Sequence, residues 1–386
     1  MKPKFTKIAN DLPVSVPFVG PESQERENKF SFDARMGANE SVFGPSKRVI
    51  NAIKAQTEDV WKYGDPESFD LLQTLSEFYK MPRDSFTVGE GIDGLLGNLV
   101  RLFIEPGDKV VSSLGAYPTF KYHVDGFGGN MSLVPYNNNY EDLDALLSAT
   151  KKSKAKIVYL SNPDNPMGTF HSKERIQDFI DNIPDKTILC LDEAYSDFVD
   201  VNELAPIDIE RENVIRFRTF SKAYGLAGLR IGYGIGNKKL VEAFNKVRNH
   251  FGVNRLGQIA AKIALEDQEY LQVVLKKVDK SKKDIASIFM KFGFNSLVSR
   301  TNFVPINSGG DGKFAAKLMN SLIQEKIFVR MPSVKPLNSF IRITAGTNND
   351  LTVLDDAMNR ICLLYTSPSP RDQRGSGLAG CAFKKK

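Results

Sequence analysis

The stretch Thr219-Phe-Ser-Lys-Ala-Tyr-Gly-Leu-Ala-Gly-Leu-Arg230 is the most informative part of the chain. It places Lys222 directly after Ser221 and eight residues before Arg230. A lysine at the end of an apolar strand can form a Schiff base with an aldehyde, and a neighbouring hydroxyl group and guanidinium group can hold a phosphate. The stretch therefore predicts a site for a phosphorylated aldehyde cofactor.

The composition indicates a globular protein with a substantial core. The chain has 386 residues, of which 41% are hydrophobic and 25% are charged, enough for one large and one smaller domain. No run approaches the roughly 18 apolar residues of a membrane helix, and the start lacks the apolar stretch of a secretory signal. Cys190, Cys362 and Cys381 indicate neither a disulfide framework nor a zinc site. We expect a cytoplasmic protein that does not bind membranes.

The basic charge of the chain is concentrated at its end. Residues 363–386 contain five basic residues and one acidic residue, so they carry +4 of the net charge of +6 and leave +2 for the rest. A nearly neutral body does not favour nucleic-acid binding. The alternative is a non-catalytic binding module that uses this basic tail on nucleic acid.

β-rich runs alternate with amphipathic helical patterns in the middle of the chain. The strand candidates are Lys109–Ser113, Lys156–Ser161, Thr187–Leu191, Val214–Phe217 and Ile231–Ile235. Apolar residues recur at helical spacing over 92–103 and 176–183. This alternation predicts an α/β fold with a mostly parallel sheet covered by helices.

The pattern changes after about residue 256. Lys-rich helical sequence continues to Phe292, and the strand candidates Asn302–Ile306 and Phe340–Thr344 flank another helix, which predicts a smaller α+β domain. We expect an extended N-terminal arm and part of the small domain in 1–45, a large cofactor-binding domain in 46–265 and the small domain in 266–362. The composition of 363–386 cannot build a core, which predicts a disordered or non-native tail.

Polar residues follow three predicted strands, at the edge where open α/β sheets bind ligands. Asn165 lies in the turn Ser161-Asn-Pro-Asp-Asn-Pro-Met-Gly168, Asp192 and Tyr195 belong to Asp192-Glu-Ala-Tyr195, and Lys222 follows Val214–Phe217.

A helix start adds a second part of the site. Val88-Gly-Glu-Gly-Ile-Asp93 opens the helical pattern at 92–103 and offers backbone N–H groups to an anion. We expect Glu90 and Gly91 to lie at the cofactor phosphate.

Taken in order, these motifs resemble the fold-type-I pyridoxal-phosphate aminotransferases, and within them the histidinol-phosphate aminotransferase group. The resemblance covers about residues 35–362. It implies a mostly parallel central sheet of the seven-stranded type with helices on both faces, a smaller α+β domain, and pyridoxal 5′-phosphate as the cofactor.

The resemblance also implies a role for each residue at the cofactor. Asp192 keeps the pyridine nitrogen protonated, and Asn165 and Tyr195 hydrogen-bond the phenolic oxygen. Lys222 anchors the cofactor and then moves the proton between the substrate Cα and the cofactor C4′. Ser221 and Arg230 hold the phosphate.

Two aromatic segments resemble further parts of the family site. Gly115-Ala-Tyr-Pro-Thr-Phe-Lys-Tyr122 implies a ring that stacks on the pyridoxal, for which we select Phe120 over its rival Tyr117. Trp61-Lys-Tyr-Gly-Asp-Pro66 implies that Tyr63 reaches the cofactor phosphate of a neighbouring subunit, and hence a homodimer with shared active sites.

The substrates implied are an amino donor, such as histidinol phosphate or another amine or amino acid, and a 2-oxo acid such as 2-oxoglutarate. Arg342 in Phe340-Ile-Arg-Ile-Thr344 resembles the arginine that clamps an anionic group, and Arg330 resembles a second one. Asn39 matches the family's Asn-Glu segment at the rim of the cleft.

The chain departs from the family pattern at two places. Met167 stands where the family usually has threonine, and Gly89-Glu-Gly-Ile replaces the commoner helix start. A decarboxylase of the threonine-phosphate type shares nearly every cofactor contact and is the enzymatic alternative. The histidines, His123, His171 and His250, have no metal-ligand spacing, so we expect no metal.

Overall fold

The computed structural model describes residues 4–14 and 19–366, the last four of them as backbone only. The strands are β1 Ala34–Arg35, β2 Phe86–Gly89, β3 Lys109–Ser113, β4 Asn130–Val134, β5 Ile157–Ser161, β6 Ile188–Asp192, β7 Val214–Thr219, β8 Gly232–Gly236, β9 Asn295–Ser296, β10 Phe303–Asn307, β11 Ile327–Phe328 and β12 Phe340–Thr344. The α-helices are α1 Lys7–Asp11, α2 Pro21–Asn28, α3 Lys47–Ala55, α4 Phe69–Tyr79, α5 Gly91–Phe103, α6 Pro118–Gly126, α7 Leu143–Ser153, α8 Lys173–Asn182, α9 Lys238–Phe244, α10 Arg255–Glu266, α11 Gln268–Lys291, α12 Gly312–Gln324 and α13 Asn348–Thr366.

The central sheet confirms the predicted fold class. Among the described residues, seven strands form one sheet in the order β2-β8-β7-β6-β5-β3-β4. Strands β3 to β7 run parallel to one another, whereas β8 is antiparallel to both β2 and β7. The sheet is therefore mostly parallel, as the alternation of strand and helix patterns predicts.

Helices cover both faces of this sheet, as the alternation of side chains along β5 shows. Tyr159 packs in a core with residues of α5 and α6, including Leu95 and Phe120. Its neighbour Leu160 packs in a second core with residues of α7 and α8. Since successive side chains of a strand point to opposite faces, the two cores lie on opposite sides of the sheet.

The helical sequence after residue 256 is interrupted at Asp267. Helix α10 ends there with Asp267 at φ −100° and ψ 59°, and α11 begins at the next residue. The Asp267 carboxylate accepts a 3.4 Å hydrogen bond from the backbone N–H of Tyr270. This hydrogen bond caps the start of α11 and favours a break between α10 and α11. The spacing of apolar residues does not reveal such a break.

The prediction of an extended arm at the start of the chain is wrong for two segments. Thr6 caps α1 by accepting the N–H of Ala9, and Pro21 is the first residue of α2. Proline is compatible with the first helical position because the N–H it lacks has no helical partner there.

Contacts divide the described chain into two compact units. The first contains 4–14, Phe43–Asn165 and Thr169–Val274, and the second contains 19–42, Pro166–Gly168 and 275–366. The second unit has its own apolar core, which includes Phe289 of α11, Ile306 of β10, Ile341 of β12 and Met358 of α13. The predicted domain limits at residues 45, 265 and 362 remain a proposal, and this division into two units supports it.

The end of the chain is described only in part. Residues 363–366 continue α13, and the rest of the predicted disordered tail lies outside the described residues. No helix within 4–14 and 19–366 is both long and apolar enough to cross a membrane.

Candidate active site

Three loops of the first unit leave neighbouring strands at the same edge of the sheet. Strand β5 pairs in parallel with β6, with Ser161 opposite Asp192, and β6 pairs in parallel with β7. Asn165 follows β5 by four residues and Lys222 follows β7 by three. The carboxyl ends of parallel strands thus bring the three loops to one edge, where α/β proteins bind ligands.

Asp192 is a buried carboxylate held by two hydrogen bonds. It is 5% exposed, and it accepts the Tyr159 hydroxyl at 2.6 Å and the backbone N–H of Ala194 at 2.9 Å. Burial raises the pKa of the Asp192 carboxyl group to about 6, although both hydrogen bonds act in the opposite direction. The group is therefore mostly ionised at neutral pH, as a partner for a cationic ring nitrogen must be.

Tyr159 is a contact of Asp192 that the motif pattern misses. It lies inside the apolar strand β5 and is completely buried. A buried tyrosine hydroxyl needs a hydrogen-bond partner, and this requirement is the signal that could have drawn attention to it.

Lys222 lies close to the ring of Tyr195. The Lys222 Nζ atom is 5.8 Å from the centroid of that ring, within the range of a cation–π contact. Tyr195 is buried and Lys222 is half-buried. The amine is thus held above a rigid aromatic surface at the end of β7.

The start of α5 forms a cradle for an anion. Gly91 has φ +72°, and a Cβ atom there would lie 2.7 Å from Arg230 Nη2. The Ser221 hydroxyl oxygen lies 3.4 Å from Arg230 Nη1. A guanidinium group, a hydroxyl group and the N–H groups of a helix start form a donor set that fits a phosphate.

The side chain of Glu90 contacts a residue outside this cradle. Its carboxylate accepts a 3.4 Å hydrogen bond from Asn249. The position of Glu90 at the cofactor phosphate stays a prediction.

Asp93, in the first turn of α5, connects two predicted site residues. Its carboxylate accepts a 3.1 Å bond from Arg230 Nη2 and a 2.8 Å bond from the Tyr117 hydroxyl. Burial, followed by the Asp93 charge, raises the pKa of Tyr117, which keeps this phenol a donor. An acidic residue is favourable at a helix start, but sequence alone does not show which side chains it contacts.

The two candidates for the stacking ring have different surroundings. Phe120 is 1% exposed, and its ring stacks on that of Tyr159 with a centroid distance of 4.7 Å. Tyr117 is half-buried and turns its hydroxyl towards Asp93. The choice of Phe120 over Tyr117 stays a prediction.

Tyr63 lies on the surface of the first unit. It is 76% exposed, its ring centroid is 4.7 Å from that of Phe251, and Trp61 beside it is 77% exposed. An exposed aromatic group of this kind is typical of a surface that another protein chain covers.

The predicted substrate residues belong to the second unit. Arg342 donates its backbone N–H to the Arg330 carbonyl oxygen at 2.6 Å, so the two arginines lie on adjacent antiparallel segments. The Arg342 guanidinium carbon is 5.1 Å from the ring centroid of Phe303, and Arg330 donates to the Val19 carbonyl at 2.7 Å.

Asn39 is buried within the same unit. It is 2% exposed, it has φ 56°, and its backbone N–H and its side-chain oxygen both bond the Thr344 hydroxyl at 3.1 Å. Its role towards a substrate stays a prediction.

No group of three or more His, Cys, Asp or Glu side chains among the described residues could hold a metal ion.

The sheet order and the loops at its carboxyl edge define a fold-type-I pyridoxal-phosphate-dependent transferase. The chain belongs to the family "Aminotransferase class I and II", whose sequence profile matches residues 34–361. Enzymes of this family depend on pyridoxal 5′-phosphate, and the donor set at Gly91, Ser221 and Arg230 fits its phosphate.

Individual relatives point to one group within the family. The chain is 33% identical over 345 residues to histidinol-phosphate aminotransferase 2 of Carboxydothermus hydrogenoformans. This alignment covers 88% of the chain and 94% of the relative. The structure also resembles the crystal structure of histidinol-phosphate aminotransferase from Sinorhizobium meliloti with pyridoxal-5′-phosphate, with a TM-score of 0.90 and 44% sequence identity. The superposition covers 94% of this chain and 99% of that one.

A solved decarboxylase has the same fold. L-Threonine-O-3-phosphate decarboxylase from Porphyromonas gingivalis has a TM-score of 0.72 over 85% of this chain and 98% of that one. Because the two sequences are only 19% identical, the likeness is limited to the fold.

Proposed function

We propose that this pyridoxal-phosphate-dependent aminotransferase transfers an amino group from histidinol phosphate, or from an amine of similar chemistry, to a 2-oxo acid such as 2-oxoglutarate. The observation that carries the proposal is the 44% identity, over 94% of the chain, to the Sinorhizobium meliloti histidinol-phosphate aminotransferase. The decarboxylase alternative is weaker because its likeness is limited to the fold.

The geometry of the first unit supports a set of proposed cofactor contacts. Arg230, Ser221 and the N–H groups at Gly91 would hold the phosphate, and Asp192 would pair with the ring nitrogen. When bound, the cofactor supplies an electron-withdrawing ring that stabilises the negative charge left on the substrate Cα after loss of its proton.

The chain's own acid–base chemistry is assigned to Lys222. Its amine would accept the proton that leaves the substrate Cα and deliver it to the C4′ atom of the cofactor, acting first as a base and then as an acid. Tyr195, whose ring centroid lies 5.8 Å from the Lys222 Nζ atom, and Asn165 in the turn after β5 would both hydrogen-bond the phenolic oxygen of the cofactor.

Substrate specificity is assigned to Arg342 and Arg330. The backbone N–H of Arg342 donates a 2.6 Å hydrogen bond to the Arg330 carbonyl oxygen, and this proximity of the two residues supports a shared anion site. Two arginines suit the phosphate of histidinol phosphate in one half-reaction and the carboxylates of 2-oxoglutarate in the other.

We further propose a homodimer with shared active sites, supported by the exposed Trp61, Tyr63 and Phe251. Mixing Lys222→Ala subunits with Tyr63→Ala subunits tests this arrangement. If Tyr63 serves the neighbouring site, each mixed dimer regains one intact site and activity returns. If each subunit supplies its own Tyr63, mixing restores nothing.

The cytoplasm is the proposed compartment. Cys190 is a buried free thiol, which suits a reducing environment.

The proposed reaction is tested with a panel of amino donors against 2-oxoglutarate. We expect histidinol phosphate to give the highest kcat/KM, with one glutamate formed for each donor consumed. Release of carbon dioxide in the same proportion would instead establish the decarboxylase.

Removal of residues 367–386 should leave turnover unchanged. If the chain were instead a binding module that uses its basic tail, the same deletion would abolish nucleic-acid binding.

The covalent anchor is tested separately by borohydride reduction and mass spectrometry. Wild-type protein should retain the reduced cofactor on Lys222, and Lys222→Ala should not. Lys239→Ala is the matched control, because Lys239 is exposed and pairs with Glu212.

A further inference from the structure

The Arg342 side chain lies over an aromatic ring of the second unit. The Arg342 guanidinium carbon is 5.1 Å from the ring centroid of Phe303, close enough for a cation–π contact. Phe303 is completely buried, whereas Arg342 is half-buried. A buried ring thus supports a cationic residue that remains partly exposed.

The pairing of β10 with β12 brings these two side chains together. The strands are antiparallel, with Phe303 opposite Thr344 and Pro305 opposite Arg342. Phe303 and Arg342 are therefore diagonal neighbours on one face of the strand pair, a separation that an aromatic ring and a long side chain can span. The contact follows from the register of the two strands.

The opposite face of the same strands builds the apolar core of the second unit. Val304 of β10 and Ile341 and Ile343 of β12 belong to this core. Because successive side chains of a strand point to opposite faces, the ring of Phe303 is not directed into it. Filling this core therefore does not account for an aromatic residue at position 303.

The ring of Phe303 is held in place by its surroundings. Gly168 has φ +66°, and a Cβ atom there would lie 3.4 Å from Phe303 Cε2, so backbone packs close to the ring. Asn302, directly before Phe303, is 1% exposed and donates a 3.1 Å hydrogen bond to the Asn39 carbonyl oxygen. The Asn302 carbonyl oxygen accepts the backbone N–H of Ala345 at 2.8 Å. The start of β10 is therefore fixed to two other segments.

An arginine side chain can adopt many rotamers, and ordering it opposes the binding of an anion. We propose that Phe303 is a positioning residue: its ring holds the Arg342 guanidinium group in the orientation in which Arg342 binds the anionic group of the substrate. The inference rests on the proposed role of Arg342. A ring that selects this orientation before the anion arrives lowers the cost of binding.

Phe303→Leu in the holoenzyme tests this role, because leucine keeps an apolar side chain but removes the aromatic face. We expect the KM for the phosphorylated amino donor to rise about threefold to tenfold, with kcat and cofactor affinity unchanged. If Phe303 acts through Arg342, the same substitution in an Arg342→Ala background should not lower kcat/KM further. A full, additive effect in that background would overturn the proposal.

Phe294→Leu is the matched control. Phe294 is 4% exposed in the same unit, and its ring meets that of Phe289 edge-on with the centroids 6.0 Å apart. The control removes the same atoms from a buried ring that faces another aromatic residue, so it should lower stability and leave KM unchanged. An equal rise of KM in Phe294→Leu and Phe303→Leu would overturn the proposal.

Phe303→Met covers the case in which the leucine variant does not fold. Methionine is flexible and fills an irregular apolar space without an aromatic face, so KM should rise as it does in the leucine variant. A KM equal to that of the wild type would overturn the proposal.

Inorganic phosphate separates this role from the proposed substrates. If the wild-type holoenzyme turns over no phosphorylated donor, those substrates fail, and calorimetry on the holoenzyme then measures the dissociation constant of inorganic phosphate. This constant should rise in Phe303→Leu and stay unchanged in Phe294→Leu. Equal constants for the wild type and Phe303→Leu, or no phosphate binding by the wild type, would overturn the role of Phe303.

Discussion

The hydroxyl group of Tyr159 donates a 2.6 Å hydrogen bond to the Asp192 carboxylate, from the strand next to the one that carries this acid. Burial raises the pKa of Tyr159 well above its usual value, so the phenol remains a donor at neutral pH. Tyr159 thus stabilises the charged form of Asp192, the form that a protonated ring nitrogen requires.

Removal of this hydrogen bond should shift the pH dependence of cofactor binding. We expect the affinity of the wild type to fall below about pH 6, where Asp192 becomes protonated. Tyr159→Phe should raise this midpoint by roughly one pH unit, because the charged carboxylate loses a donor. The dissociation constant of the cofactor is measured for both proteins between pH 5 and 8 in the same buffers. The cofactor's own titration affects both proteins equally and drops out of the comparison.

Tyr233→Phe serves as the control, since its buried hydroxyl bonds Tyr79 at 2.7 Å rather than Asp192. An identical midpoint in both variants would contradict this role of Tyr159.

Gly91 should be required for the phosphate cradle. A Cβ atom in Gly91→Ala would lie 2.7 Å from Arg230 Nη2 and would displace the guanidinium group, in addition to straining a residue at φ +72°. We expect cofactor affinity to fall at least about tenfold, as one charge-assisted hydrogen bond is lost. Gly107→Ala has similar strain at φ +96° but meets no atom within 4 Å, so it should lower stability and leave affinity unchanged.

Arg342→Lys should raise the KM for the phosphorylated amino donor. A lysine keeps the charge but loses the bidentate geometry, which costs about 1.5–3 kcal/mol, or roughly 10–100-fold in KM. Arg360→Lys makes the same substitution in a surface pair with Glu325 and should leave KM unchanged. Steady-state kinetics with equal KM values for the two variants would rule out Arg342 as the anion clamp.

Glu141 should make stability depend on pH. Burial raises its pKa from 4.5 to about 8 on folding, so the folded state binds more protons than the unfolded state between these values. The resulting stability is complete below pH 4.5 and is lost as pH rises towards 8, by at most about 1.4 kcal/mol per pH unit. Urea unfolding at constant protein concentration should show this decline from pH 6 to 8 in the wild type, and Glu141→Gln should remove most of it.

Local patterns predicted much of the large sheet. Strand β3 of this sheet has the predicted bounds, as has β12 of the second unit, and β5 to β8 are displaced by one or two residues at their ends. Strand β4, with exposed residues at its start, and the short strand β2 were not predicted, because neither has the apolar run of a central strand.

The sequence by itself determined the family and the order of the loops that carry Asn165, Asp192 and Lys222. Parallel strands present their carboxyl ends at one edge, so motif order along the chain is enough to group these loops. Only the tertiary structure decided which polar groups meet inside the protein. Tyr159 and Asp192 are 33 residues apart, and Ser113 and Glu141 are 28 residues apart. Such pairs depend on the register of neighbouring strands and on the burial of both groups, which no local pattern encodes.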